Sequence, residues 1–83
     1  MIVEIYSKPQ CPLCDQAKEV LARVRRRIPF ELREVDITQD PALFEEYRYD
    51  IPVVFVNGHK AFKHHLEAKA VEARLRREGG PSA

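Results

Sequence analysis

Six consecutive apolar residues, Ile51-Pro52-Val53-Val54-Phe55-Val56, limit the folds open to this chain more than any other feature. The run has the length of a strand and no polar alternation, as expected for a strand covered on both faces. Asn57-Gly58 follows at once, a strong two-residue hairpin signal, so His59 to Phe62 is expected to return antiparallel to the run. A chain of 83 residues forms one domain and buries roughly 60–65% of its surface, so this buried strand has to be the centre of a single core.

The rest of the chain supplies partners for that strand. Val3 and Ile5 alternate with Glu4 and Tyr6 in a first strand, and Ser7-Lys8-Pro9-Gln10 breaks the pattern. Leu13, Ala17, Val20, Leu21, Val24 and Ile28 then recur at helical spacing. The spacing predicts a helix of about four turns starting at Cys11 or Pro12, the proline being suited to a first-turn position, and Pro29 closes it. Arg23, Arg25, Arg26 and Arg27 crowd its far end, where cations complement the helix dipole.

Phe30 to Ile37 reads as a second strand whose alternation slips near Glu34, which a bulge or an early strand end would explain. Asp40-Pro41 caps a short helix from Ala42 to about Arg48, and Leu66 to about Arg77 makes a third helix. The order is β-α-β-α-β-β-α, an α/β fold with a four-stranded mixed sheet and the first two strands parallel. Residues 1–77 form the domain and 78–83 a flexible tail.

Charge excludes some functions. Fourteen Lys and Arg against thirteen Asp and Glu leave a net charge of +1, with no field favouring nucleic acid or anionic lipid. The stretch after Met1 is too short and interrupted for a secretory signal, and no apolar run approaches membrane-spanning length, so a cytoplasmic monomer is expected. In a reducing compartment a close pair of cysteines needs a chemical reason.

Cys11 and Cys14 have that reason if they sit on the first turn of the helix. Free N–H groups and the positive end of the dipole stabilise a thiolate at Cys11, while the more enclosed Cys14 keeps its proton longer. Cys11 would attack a disulfide and Cys14 would resolve the mixed disulfide. Lys8 adds positive charge nearby, and Pro12 and Leu13 tune the stability of the reduced form. Pro52 at the start of a buried strand removes a ladder donor. A cis Ile51–Pro52 bond would aim the Ile51 backbone at the cysteines, free to pair with an extended substrate, although residue type alone leaves the bond's isomer open.

Lys8-Pro9-Gln10-Cys11-Pro12-Leu13-Cys14 after a first strand, then Ile51-Pro52-Val53 about forty residues on, then Asn57-Gly58, resembles the glutaredoxins, in particular the short glutaredoxin-like proteins. The resemblance covers about residues 1 to 77. It implies a thioredoxin fold, a nucleophilic Cys11, a resolving Cys14 and a cis Pro52. It also implies a substrate-contacting set of Lys8, Pro12, Leu13, Ile51, Pro52 and Val53. The activity implied is thiol–disulfide exchange with disulfide-containing proteins or glutathione mixed disulfides, driven by a reductase or by glutathione.

Two departures stand out. Leu13 occupies the place of a usual tyrosine, and Ala61-Phe62-Lys63-His64-His65 lacks the Gly-Gly pair that holds the γ-glutamyl end of glutathione. Glutathione is therefore expected at most as a weak co-substrate, with no bound cofactor and no metal. Two other readings compete. In one, Cys11 and Cys14 bind a metal with His59 and His64 or His65. In the other, the same fold is a binding protein with inert thiols.

Overall fold

The alternation along the first strand decides which residues meet on each face of the sheet. In the computed structural model, which describes residues 1–78, β1 (Ile2–Ser7) buries Val3, Ile5 and Ser7 and leaves Ile2, Glu4 and Tyr6 half-exposed. β2 (Glu31–Asp36) lies parallel to it, paired from Ile2↔Glu31 to Ser7↔Asp36. β3 (Val53–Val56) runs antiparallel on its other side, with Val3 opposite Val56 and Tyr6 opposite Val53. β4 (His59–Lys63) closes the outer edge, giving a mixed sheet in the order β2-β1-β3-β4. The hairpin turn has positive φ at both central residues, 50° at Asn57 and 84° at Gly58, which is what a two-residue primed turn requires. Asn57 also ties the turn to the start of β1: its N–H donates to Ile2 O (2.8 Å) and its Oδ1 accepts from Ile2 N (3.0 Å).

Helices cover both faces. α1 (Pro12–Arg27) buries Cys14, Ala17, Val20, Leu21 and Val24, a stripe at helical spacing, and packs with α3 (Ala68–Arg77) over Val3, Ile5, Val54 and Val56. The opposite face carries Val53 and the half-buried Tyr6 and Phe55. It is covered by Ile37, in a single 3₁₀ turn (Ile37–Gln39), and by Leu43, Phe44 and Tyr47 of α2 (Pro41–Tyr47). The uninterrupted apolar run therefore has one set of residues in each layer. Arg27 and Arg76 both donate to Glu72, a nearly buried carboxylate that joins the end of α1 to α3. No helix among the described residues is long and apolar enough to cross a membrane.

The element order is the expected one, and the differences are local. β2 pairs with β1 without interruption and ends at Asp36, where the side chain accepts from Thr38 N (2.9 Å) and Thr38 Oγ1 (2.6 Å) and starts the 3₁₀ turn. The slip in alternation near Glu34 is thus neither a bulge nor a strand end, since pairing continues through Glu34 and Val35 to Asp36, after which Ile37 turns into the core. The only register shift recorded in the described sheet falls elsewhere, opposite Val54 and Phe55, where Ala61 is the extra residue of β4. α3 begins at Ala68, two residues after Leu66; Leu66 is buried on the approach, and Glu67 caps the helix without a side-chain bond. β3 begins at Val53, since Pro52 has no N–H for a ladder and Ile51 turns away from it. Glu78 finishes α3, its N–H donating to Arg74 O and Leu75 O, and positions 79–83 of the expected tail lie outside the described residues.

Candidate active site

Between the end of β1 and the start of α1 the chain reverses through the exposed residues Lys8, Pro9 and Gln10, with Gln10 in the left-handed region at φ 57°. Cys11 follows as the N-cap of α1. Its backbone is extended, its carbonyl already accepts from Asp15 N (3.0 Å), and its Sγ accepts from Cys14 N at 3.2 Å. This is the role that Ser or Asp oxygens usually fill at a helix start, taken here by sulfur. Pro12 occupies the first helical position, where no N–H is needed. The Cα atoms of Cys11 and Cys14 are 5.2 Å apart, inside the range that a disulfide spans, and the two sulfurs are close enough to form one.

The two sulfurs have different surroundings. Cys14 is completely buried, whereas Cys11 is 9% exposed, a narrow opening at the surface. The Cys14 N–H and the N-terminal end of α1 are directed at Cys11 Sγ, while Cys14 lies enclosed in the apolar cluster. Lys8 is exposed on the preceding loop, and Leu13, 45% exposed between the cysteines, is one of the few large apolar side chains left at the surface.

The wall facing the cysteines is the segment before β3. Its Ile51–Pro52 bond is cis, and Ile51 and Val53 belong to the same apolar cluster as Cys11, Cys14 and Ile37. Pro52 is also fully buried. The Ile51 N–H is not free: it donates to Tyr47 O (3.2 Å), as the Asp50 N–H does at 2.8 Å, because the last turn of α2 runs directly into this loop. Sequence reasoning missed that anchor, since it depends on where a seven-residue helix stops.

Around this wall, Tyr6, Tyr47 and Phe55 form a small aromatic group, with Tyr6 4.9 Å from Phe55 and 5.1 Å from Tyr47 between ring centroids. Both phenols are pushed above their ordinary pKa, by burial first and then by nearby carboxylates: Glu4 and Glu46 for Tyr6, chiefly Glu46 for Tyr47. They remain neutral and serve as packing against the cluster that holds the cysteines.

On the other side of Leu13 a shallow groove of about 250 Å³ is lined by residues that include Gln16, Arg23, His64, His65 and Leu66. Among the described residues no group of three or more His, Cys, Asp or Glu side chains gathers where a metal ion would be held, and the histidines do not join the cysteines in one.

Comparison with known proteins agrees with this geometry. Residues 2–76 match the model of the family described as Glutaredoxin-like domain (DUF836). The chain is 28% identical over 71 residues to a protein from Dictyostelium discoideum named as a glutaredoxin-like homologue. That alignment spans 78% of this chain and 66% of the relative, just under two thirds. It is 29% identical over 63 residues to a thioredoxin from Methanocaldococcus jannaschii, covering 72% of this chain and 74% of the relative. Among solved structures, a protein from X. campestris superposes with a TM-score of 0.78 at 29% identity, over 90% of this chain and 96% of that one. The sheet order, the helix-capping cysteine pair and the cis proline are those of a thioredoxin fold, and the chain belongs to the glutaredoxin-like domain family.

Proposed function

We propose that this protein is a thiol–disulfide oxidoreductase that works as a dithiol carrier. The observation that carries the reading is the asymmetry of the pair: Cys11 Sγ receives a helix N–H and its residue keeps 9% exposure, while Cys14 lies fully buried one turn behind it. In the first step the Cys11 thiolate attacks one sulfur of a target disulfide, forming a mixed disulfide and expelling the other target sulfur as a thiolate, which takes up a proton. Cys14 then loses its proton and attacks Cys11 Sγ. The Cys11–Cys14 disulfide forms, the second target thiol leaves, and two electrons have passed to the target. A dithiol reductase, or two molecules of a small thiol, returns the pair to the reduced state.

The substrate side is an extended segment carrying the disulfide, laid between Leu13 and the loop before β3. With the Ile51 N–H engaged by Tyr47, the Ile51 carbonyl is the group that such a segment addresses, and the exposed Pro12 and Leu13 supply its apolar surroundings; Pro52 and Val53, expected as contacts, are fully buried and support the loop from beneath. Lys8 contributes positive charge on the approach to Cys11.

Glutathione fits this surface poorly. The stretch from Ala61 to His65 presents no pair of glycine N–H groups for its γ-glutamyl end. Losing two charge-assisted hydrogen bonds weakens binding by at least about tenfold. Disulfide turnover driven by glutathione and its reductase is therefore expected to be at least about tenfold slower than turnover driven by a thioredoxin-reductase-type flavoenzyme. Cys11→Ser is expected to stop both. Rapid turnover of a glutathione mixed disulfide by the Cys14→Ser variant would show an effective monothiol glutathione site and overturn the dithiol reading.

A further inference from the structure

His64 follows β4 with φ at 67°, a left-handed conformation that suits glycine and strains a residue with a Cβ. Its side chain is exposed, so core packing does not account for it. What it does is bond twice to one loop. Its backbone N–H donates to Pro52 O (2.8 Å), and its ring Nε2 lies 3.2 Å from Tyr49 O. A carbonyl only accepts, so in this contact Nε2 carries the proton. The neighbouring Lys63 adds an ion pair to Asp50 at 4.0 Å. The loop from Tyr49 to Pro52 is thus clasped at both ends from β4, while its other side hangs from Tyr47 O at the end of α2. Ile51, inside the clasp, belongs to the same apolar cluster as Cys11.

The two bonds differ in what they require. Any residue but proline at position 64 keeps the backbone bond, and glycine would do so with the least strain. Only a side chain with a donor at the reach of Nε2 makes the bond to Tyr49. We infer that His64 is a positioning residue: its imidazole fixes the Tyr49–Pro52 loop so that the Ile51 carbonyl meets an extended disulfide-bearing peptide beside Cys11. This rests on the oxidoreductase reading above and assigns His64 to peptide recognition, with no part in the reactivity of Cys11 itself.

The test uses the full chain with His64 replaced by Ala, Gly or Gln, and reads three quantities: kcat and KM for a peptide disulfide, the rate of Cys11 alkylation by iodoacetamide, and the melting temperature. The Ala and Gly variants are expected to raise KM about three- to tenfold, the worth of one hydrogen bond, with kcat nearly unchanged. Alkylation should proceed at the wild-type rate, because a small reagent does not use the loop. Gln, whose amide nitrogen reaches about as far as Nε2, should restore KM. The Gly variant should melt no lower than wild type, which keeps the test open if the Ala variant folds poorly. A wild-type KM in the Gly variant, or alkylation slowed as much as peptide turnover, or no rescue by Gln, would overturn the assignment while leaving the oxidoreductase reading in place. A wild-type protein that reduces no disulfide would remove that reading, and this inference with it.

Discussion

Two cysteines three positions apart on one helix turn meet unlike surroundings, and the difference comes from the backbone. Cys11 caps the helix, so an N–H that would otherwise lack an intrahelical partner points at its sulfur. Cys14 is inside the turn, where the helix faces the core and no water reaches it. In the reduced protein, iodoacetamide at neutral pH should alkylate Cys11 first, with Cys14 following only after unfolding. Peptide mapping of briefly treated protein checks this, and preferential labelling of Cys14 would reverse the roles. The sequence reading anticipates much at this scale, because a cysteine pair with Pro12 between its members and a strand before it says where the helix starts. It does not anticipate His64 or the engagement of the Ile51 N–H. Both depend on contacts between segments far apart in the chain, and nothing in the residue types near position 64 announces a left-handed backbone.

Elements with a clear period are legible and short ones are less so. α1 shows its apolar stripe and its proline, and the hairpin shows Asn57-Gly58; both stand where the pattern puts them. The bulge at Ala61 and the late start of α3 at Ala68 are settled by packing against neighbours, which local pattern does not contain. α2 is the weakest element, with seven residues and none fully buried, so its stability depends on its cap. Asp40 Oδ1 accepts from Ala42 N at 2.9 Å and from Leu43 N at 3.4 Å. Asp40→Ala is expected to cost about 1 kcal/mol, lowering the urea midpoint with an unchanged slope. An unaltered midpoint would mean that α2 is held by its contacts with Tyr6 and Phe55 alone.

At the scale of the whole molecule, a sheet covered on both faces creates the seam where the cysteine pair sits. Val54 and Val56 point into the layer under α1 and α3, and Val53 into the layer under α2, so β3 belongs to both cores. The first turn of α1 reaches across that division, placing Cys11 and Cys14 with Ile37, Ile51 and Val53. The cysteine pair is thereby backed by apolar packing, with Cys11 the more exposed of the two. The central claim, that Cys11 attacks and Cys14 resolves, is tested most directly by trapping. Reduced Cys14→Ser protein mixed with a peptide disulfide and analysed by intact-protein mass spectrometry should accumulate the protein with one peptide thiol attached at Cys11. Cys11→Ser should accumulate none, and wild type should pass to the internal disulfide with two free peptide thiols released. An adduct on Cys14 in the Cys11→Ser variant, or no adduct in the Cys14→Ser variant while wild type turns over, would contradict the account.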